Sequence, residues 1–263
     1  MERKENNVLW PQEPGDSGME TVMSPWGEGL DPSQPRDKAI IGTVVRYQDM
    51  LLGYTCAMKE VQTKFDVLNT EFNVRNQRNP ISSVTTRLKS TASITEKLNR
   101  RGFPVTLESV EENLNDVAGV RVICSYQDDI YRIANALLSQ DDVELLEKKD
   151  YIANPKPNGY RSLHLIITVP VFFAQQKRRV KVEVQIRTIA MDFWASLEHQ
   201  MKYKQELPNQ EAIADELKNI SDAIHETDLR MLKLRQRIEQ TAETPTEEEL
   251  LLERVSRVDL TME

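Results

Sequence analysis

From Ala39 to about Gln77, apolar residues recur at three- and four-residue steps, with Met50, Tyr54, Met58, Val61, Phe65 and Leu68 on one stripe. This spacing predicts a long helix. Beyond Pro80 the period alternates. VTTRLKS reads as a short strand, followed by a helix capped at Ser93, running through Lys97 and stopping near Gly102 and Pro104. TLESVEENL reads as a second short helix. DVAGVRVICS is a strand, DDIYRIANALLSQ a helix and DVELLEKKDYI a strand. A loop, NPKPNGY, then enters the strands RSLHLIITVPVF and RVKVEVQIRT. A helix follows from Ile189 to about Lys204, with Ile189, Phe193, Leu197 and Met201 on one face. Such a mixture predicts an α/β (α+β) domain, a mixed β-sheet with helices packed against it.

After Pro208 the period changes once more. Ile213, Leu217, Ile220, Ile224, Met231, Leu234 and Ile238 form a heptad-like stripe on a long helix, interrupted at Thr227. The stripe suits packing on its own domain and packing on a partner subunit equally. The expected organisation is a disordered extension over residues 1–38, a domain over 39–206, an oligomerisation helix over 207–240 and an acidic tail over 241–263. Five prolines and four glycines in the first 38 residues carry the first of these expectations.

Composition narrows the picture. The 263 residues are 39% hydrophobic, enough for a packed core, and carry a net charge of -8. An acidic chain is a poor binder of duplex nucleic acid along its whole surface. MERKENN is not a secretory signal, and no run approaches the ~20 apolar residues that span a membrane, so a cytoplasmic protein is expected. Cys56 and Cys124 form no CxxC pair and read as two buried thiols.

The candidate chemistry lies in the alternating segments. In RVKVEVQIRT, Val180, Val182, Val184 and Ile186 share one strand face, and Lys181, Glu183, Gln185 and Arg187 the other. Alone, the second set suits an ordinary solvated face. In DVAGVRVIC, Asp116 opens a strand whose Gly119 admits a close approach and whose Arg121 is otherwise surrounded by apolar residues. Asp116 and Glu183 on neighbouring strands would suit Mg²⁺, a hard cation that takes one or two carboxylates plus substrate phosphates. Seven Lys or Arg residues and a single acid, Glu96, lie between Arg75 and Pro104. Among them Arg87 and Lys89 point the same way from a strand. Ser93 and Lys97 lie one turn apart at a helix start, which favours anions. In the Pro/Asn/Gly loop, Tyr160 offers a face to a nucleobase, with Lys156 and Asn158 beside it. Ser162 and His164 share one side of the following strand. Each of these residues singly is as well explained by a structural role; together they point to two nucleotides and one metal in one site.

RLKSTASITEKLNRRG, NLNDVAGVRVIC, YIANPKPNGYRSLH, VEVQIRTIAMDFWASLEH and the following YK resemble, in order, the synthetase domain of RelA/SpoT-type alarmone synthetases over roughly residues 75 to 206. The short chain with long helices on both sides resembles the stand-alone small alarmone synthetases, closest to the RelQ group. The resemblance implies a nucleotidyltransferase-like mixed sheet of about five strands. It implies transfer of pyrophosphate from ATP to the ribose 3′-hydroxyl of GDP or GTP, giving AMP and ppGpp or pppGpp in the stringent response. By motif position, Arg87 and Arg121 would sandwich adenine, and Lys89, Ser93 and Lys97 would hold the ATP phosphates. Asp116 and Glu183 would hold Mg²⁺, with Glu183 also the base. Tyr160 would stack on guanine, and Lys156, Asn158 and His164 would seat the acceptor. Gln185, Arg187, Glu198 and His199 would support that side. A homotetramer, with pppGpp and single-stranded RNA as further ligands, is implied as well. No histidine precedes Asp, as the metal-dependent hydrolase domain of longer relatives requires, so synthesis without hydrolysis is expected.

Two other classes fit parts of this pattern. One is a non-catalytic sensor of guanine nucleotides or single-stranded RNA on the same fold. The other is a nucleotidyltransferase acting on RNA or protein, which would release pyrophosphate where the synthetase releases AMP.

Overall fold

The computed structural model describes residue 31 and residues 33–76, 78–202 and 210–241. The expected loose extension and acidic tail lie almost wholly outside these residues. The chain divides into two compact units, Met1–Gln48 and Asp49–Glu263. Helix α1 spans Pro35–Asn76 and so opens before the expected Ala39. Proline is well placed at a first helical position, where its ring presets φ and no N–H is needed. All six stripe residues expected to be apolar contacts, from Met50 to Leu68, are buried.

The remaining elements follow in order: β1 (Ile81–Leu88), α2 (Thr91–Arg101), α3 (Leu107–Asn113), β2 (Ala118–Cys124), α4 (Gln127–Leu138), β3 (Glu144–Asp150), β4 (Leu163–Phe172), β5 (Lys177–Thr188), α5 (Ile189–Lys202) and α6 (Gln210–Thr241). Among the described residues the strands form one sheet, ordered β1-β2-β5-β4-β3. β2 and β5 are parallel and every other pair is antiparallel, which is the expected mixed sheet. β4 is buried from Leu163 to Val171, as its unbroken apolar run requires. Val182, Val184 and Ile186 of β5 are buried too, and α1 meets Val180 at Gly53.

Two local expectations are corrected. The N-cap of α2 is Ser90, not Ser93. Ser90 has the extended backbone a cap needs, and its hydroxyl accepts from the Ser93 N–H at 3.3 Å, three residues on. Gly102 closes the helix in a left-handed conformation, as expected. Asp116 does not open β2 but precedes it. Lys89 N donates to Val117 O at 2.8 Å, so the pairing of β1 and β2 runs past the strand ends and brings Lys89 beside Asp116. Of the two thiols, Cys124 is buried and Cys56 only partly so.

The apolar stripes of α5 and α6 are divided. Met191, Trp194 and Ala195 of α5 are buried with Leu217 of α6, and Ile213 and Ile224 pack against this cluster. Ile189, Phe193, Leu197 and Met201, expected on one face of α5, are all exposed. So are Ile220, Met231, Leu234 and Ile238 of α6. A groove of about 810 Å³ runs between the two helices, lined by Ile189, Phe193, Ile220, Ala223, Ile224 and Met231 among others. No described helix is long and apolar enough to cross a membrane.

Candidate active site

The strand register assembles the site before any side chain is considered. Arg87 of β1 pairs with Gly119 of β2, which pairs with Glu183 of β5. Two residues along, Thr85, Arg121, Gln185, His164 and Lys149 form a rung across all five strands. Paired residues of neighbouring strands project to the same side, so residues far apart in the chain gather on one face. A cavity of about 360 Å³ opens there, lined by Thr85, Arg87, Lys89, Asp116, Gly119, Val120, Arg121, Glu183 and Gln185. Glu183 and Gln185 of the polar set of β5 are therefore the half-buried wall of a cleft rather than a solvated surface.

At one end of the cavity, Lys89 Nζ and Lys97 Nζ each lie 2.6 Å from Asp116 Oδ2. Burial pushes the Asp116 carboxyl up, but the two ammonium groups outweigh it and hold the group below its ordinary value. Asp116 Oδ1 is buried with no hydrogen-bond partner. Ser93 is partly buried in the first turn of α2, one turn from Lys97.

In the same cavity wall, Glu183 is the junction of a hydrogen-bonded chain. Gln185 Nε2 donates to Glu183 Oε2 at 3.0 Å, and His164 Nδ1 lies 3.2 Å from Oε1. His164 Nε2 lies 2.8 Å from the Tyr160 hydroxyl, to which Arg187 Nη2 donates at 2.6 Å. The consistent assignment has Nδ1–H donating to Glu183 and Nε2 accepting from Tyr160. Desolvation raises Glu183 and Asp116 adds to this, but His164 and Gln185 prevail and keep the carboxyl below its ordinary value. It is ionised at neutral pH.

The loop of Tyr160 presents a small aromatic and cationic cluster. Tyr160 lies edge-on to Tyr151 and His164. Lys156 Nζ sits 4.7 Å from the Tyr151 ring centroid and 4.6 Å from that of Tyr160. Asn158 Nδ2 donates to Glu198 Oε1 at 3.1 Å, while Asn158 Oδ1 accepts from Tyr160 N. His199, one residue on, is exposed on α5. Arg187 is buried and also donates to Asp192 Oδ1 and Gln185 Oε1, both at 3.0 Å.

The structure thus brings Arg87, Lys89, Lys97, Asp116, Arg121, Glu183 and Gln185 together around the cavity, with Tyr160, His164 and Arg187 joined to it through Glu183 and Gln185. Both His164 nitrogens are engaged within the protein. Three further residues belong to the site. Thr85 lies two positions before Arg87 and shares its strand face, which alternation alone would have found. Tyr151 and Asp192 lie in the blocks that carry the family resemblance, and alternation assigns neither a role. Asp192 Oδ1 lies 3.0 Å from Arg187 and 3.6 Å from Arg121 Nη1, between two guanidinium groups. Desolvation and then Arg187 lower Arg121 below its ordinary value, and Asp192 opposes them.

Comparison with known proteins gives a consistent result. A family model described as a region found in RelA/SpoT proteins matches residues 86–207. The GTP pyrophosphokinase YwaC of Bacillus subtilis (strain 168) is 44% identical over 195 residues, covering 73% of this chain and 92% of the relative. The crystal structure of small alarmone synthetase 2 from Bacillus subtilis superposes with a TM-score of 0.65 at 44% identity, over 73% of this chain and 98% of that one. Small alarmone synthetase 1 from the same organism, bound to its product pppGpp, gives 0.67 at 34% identity over 73% and 98%.

Proposed function

The chain belongs to the RelA/SpoT family, and on that premise we propose that it is a small alarmone synthetase, a GTP pyrophosphokinase. The observation that carries this reading is the place of Glu183. One side of it faces a cavity walled by Arg87, Lys89, Asp116 and Arg121, and the other leads through His164 to Tyr160. A polyphosphate donor fits the first region and a nucleoside acceptor the second.

The reaction is a transfer between two bound nucleotides. The 3′-hydroxyl oxygen of GTP or GDP bonds to the β-phosphorus of ATP. The bond from that phosphorus to the oxygen bridging to the α-phosphate breaks, and AMP departs with the electron pair. The hydroxyl proton passes to Glu183, an ionised carboxylate whose orientation His164 and Gln185 fix. Lys89 and Lys97, with Ser93 beside them, meet the phosphates, where fixed cations stabilise the spreading negative charge. Arg121 and Arg87 flank the adenine, and Tyr160 meets the guanine.

Asp116 and Glu183 would hold Mg²⁺. The buried, unpartnered Asp116 Oδ1 supports this, as do two carboxylate residues in one cavity that leave room for phosphate oxygens and water. When bound, the ion supplies positive charge against the phosphates. The exposed apolar faces of α5 and α6 support a subunit interface in a homotetramer, since a monomer seldom leaves so large a contiguous apolar patch in water.

Anion-exchange chromatography of the chain incubated with ATP, GTP or GDP, and Mg²⁺ tests the proposal. AMP together with a guanosine species carrying two further phosphates is expected, and neither should form with Glu183→Gln. Release of pyrophosphate in place of AMP would assign nucleotidyl transfer instead. Bound but unconverted nucleotides would assign a sensor.

A further inference from the structure

The loop that carries Tyr160 rests on α6, a helix that contributes no residue to the cavity wall. Gly159 has a left-handed backbone with φ of 90°, and a Cβ added there would lie 2.6 Å from Cβ of Ser221. Only glycine meets both conditions. Ser221 is 4% exposed, and its Oγ donates to Gly159 O at 2.6 Å. On the other side of Tyr160, Arg161 Nη2 donates to Asp222 Oδ1 at 2.9 Å. Two successive residues of α6 therefore hold the two chain neighbours of Tyr160. The Tyr160 ring itself packs against Trp194, Ala195 and Leu217, and Trp194 Nε1 donates to Leu217 O at 2.9 Å, one turn before Ser221.

These contacts act on one substrate side only. Lys89, Lys97 and Asp116 hold one another just after β1, on α2 and ahead of β2. The loop around Tyr160, by contrast, closes on itself only through Gly159 N to Lys156 O at 2.8 Å, Lys156 N to Tyr160 O at 3.2 Å and Tyr160 N to Asn158 Oδ1 at 3.2 Å, while the Gly159 carbonyl and the Arg161 side chain are held from α6. A short Pro/Asn/Gly loop has no regular hydrogen-bond ladder to fix it, so a buried hydroxyl aimed at its one left-handed residue has large leverage over where the ring points.

We propose that Ser221 is a positioning residue for the acceptor nucleotide. Its hydrogen bond to Gly159, with the Arg161–Asp222 pair beyond Tyr160, sets the ring against which the acceptor base stacks, so α6 governs acceptor use and not donor use. This rests on the reading of Tyr160 as the acceptor's partner.

Steady-state kinetics of the full chain, with ATP and GDP varied in turn, distinguish the possibilities. Ser221→Ala is expected to raise KM for GDP about fivefold, the size set by one neutral hydrogen bond. KM for ATP should stay within about twofold, the scale of a near-neutral change, because no residue of α6 lines the donor cavity. Asp222→Asn, on the solvent side of the helix, is expected to shift the same constant in the same direction, and it carries the test if Ser221→Ala does not fold. An unchanged GDP constant in a folded variant overturns the proposal, as does an equal rise in both constants. Tyr160→Ala serves as the control: if it leaves the GDP constant unchanged, the acceptor reading and this proposal both fall.

Discussion

Nineteen residues apart in the chain, Lys97 and Asp116 meet at 2.6 Å. Lys89 reaches the same oxygen from the end of β1. One carboxylate thus bridges two ammonium groups that would otherwise repel each other, and the trio keeps one net positive charge. The lysines hold the Asp116 carboxyl below its ordinary value, although burial opposes them. A depressed folded-state value means stability that is present above the unfolded-state value and lost as pH falls through the folded one. Asp116→Asn is therefore expected to melt below the wild type at neutral pH, with the gap closing under about pH 4, the ordinary carboxylate value. Melting curves over a pH series check this, and a gap that persists in acid would contradict it.

Glu183→Gln should keep the fold and lose turnover. Removing a positioned general base costs on the order of 100-fold or more. Quantifying AMP release alongside a melting curve separates chemistry from folding. Near-normal release would remove Glu183 from the mechanism.

Tyr160→Ala is expected to raise the acceptor KM by roughly fivefold to a hundredfold, the range that base–aromatic stacking spans. Tyr160→Phe keeps the ring but loses the hydroxyl between Arg187 and His164. It should retain acceptor affinity better than it retains kcat. Equal losses for ATP and the acceptor in either variant would make the tyrosine structural.

Asp228 is buried in α6 and accepts from Thr188 Oγ1 at 2.8 Å. Burial raises its carboxyl above the ordinary value, and the Thr188 hydrogen bond only partly offsets this. A raised folded-state value makes the folded chain most stable below the ordinary carboxylate value and less so as pH rises through the raised one. Asp228→Asn keeps an acceptor for Thr188 without the charge. It should be at least as stable as the wild type at pH 8 and lose that advantage in acid. A lower Tm at pH 8 would refute the account.

Phe193→Asp combined with Met231→Asp places two charges in the groove between α5 and α6. Sedimentation velocity at micromolar concentration should then show a smaller species than the wild type. An unchanged assembly, or a wild type that is already monomeric, would exclude this face as the interface.

The sequence was most informative where one physical constraint acts along a single element. The stripe from Met50 to Leu68 is buried as its spacing implied, because a helix that covers a sheet must place its apolar residues at the helical period. The alternation in β5 separated the valines from Glu183, Gln185 and Arg187, because a strand has only two faces. It was least informative at cap and boundary positions. Ser90 and Ser93 are both plausible caps, and only the backbone conformation of Ser90 separates them.

The chain by itself determined the order of elements, the mixed character of the sheet and most of the residues of the cleft, since residue type and period are local properties. Tertiary structure alone decided which groups meet. The parallel pairing of β2 with β5 puts Gly119 beside Glu183, and a strand register cannot be read from either strand alone. Asp192 between Arg121 and Arg187 and Tyr151 beside Tyr160 lie in blocks that carry the family resemblance, but residue type there does not say what they touch, and Ser221 under Gly159 lies in no such block. The same holds for the outward turn of Phe193 and Met231: a helical stripe shows that a face is apolar, but what covers that face depends on where the other helices come to rest.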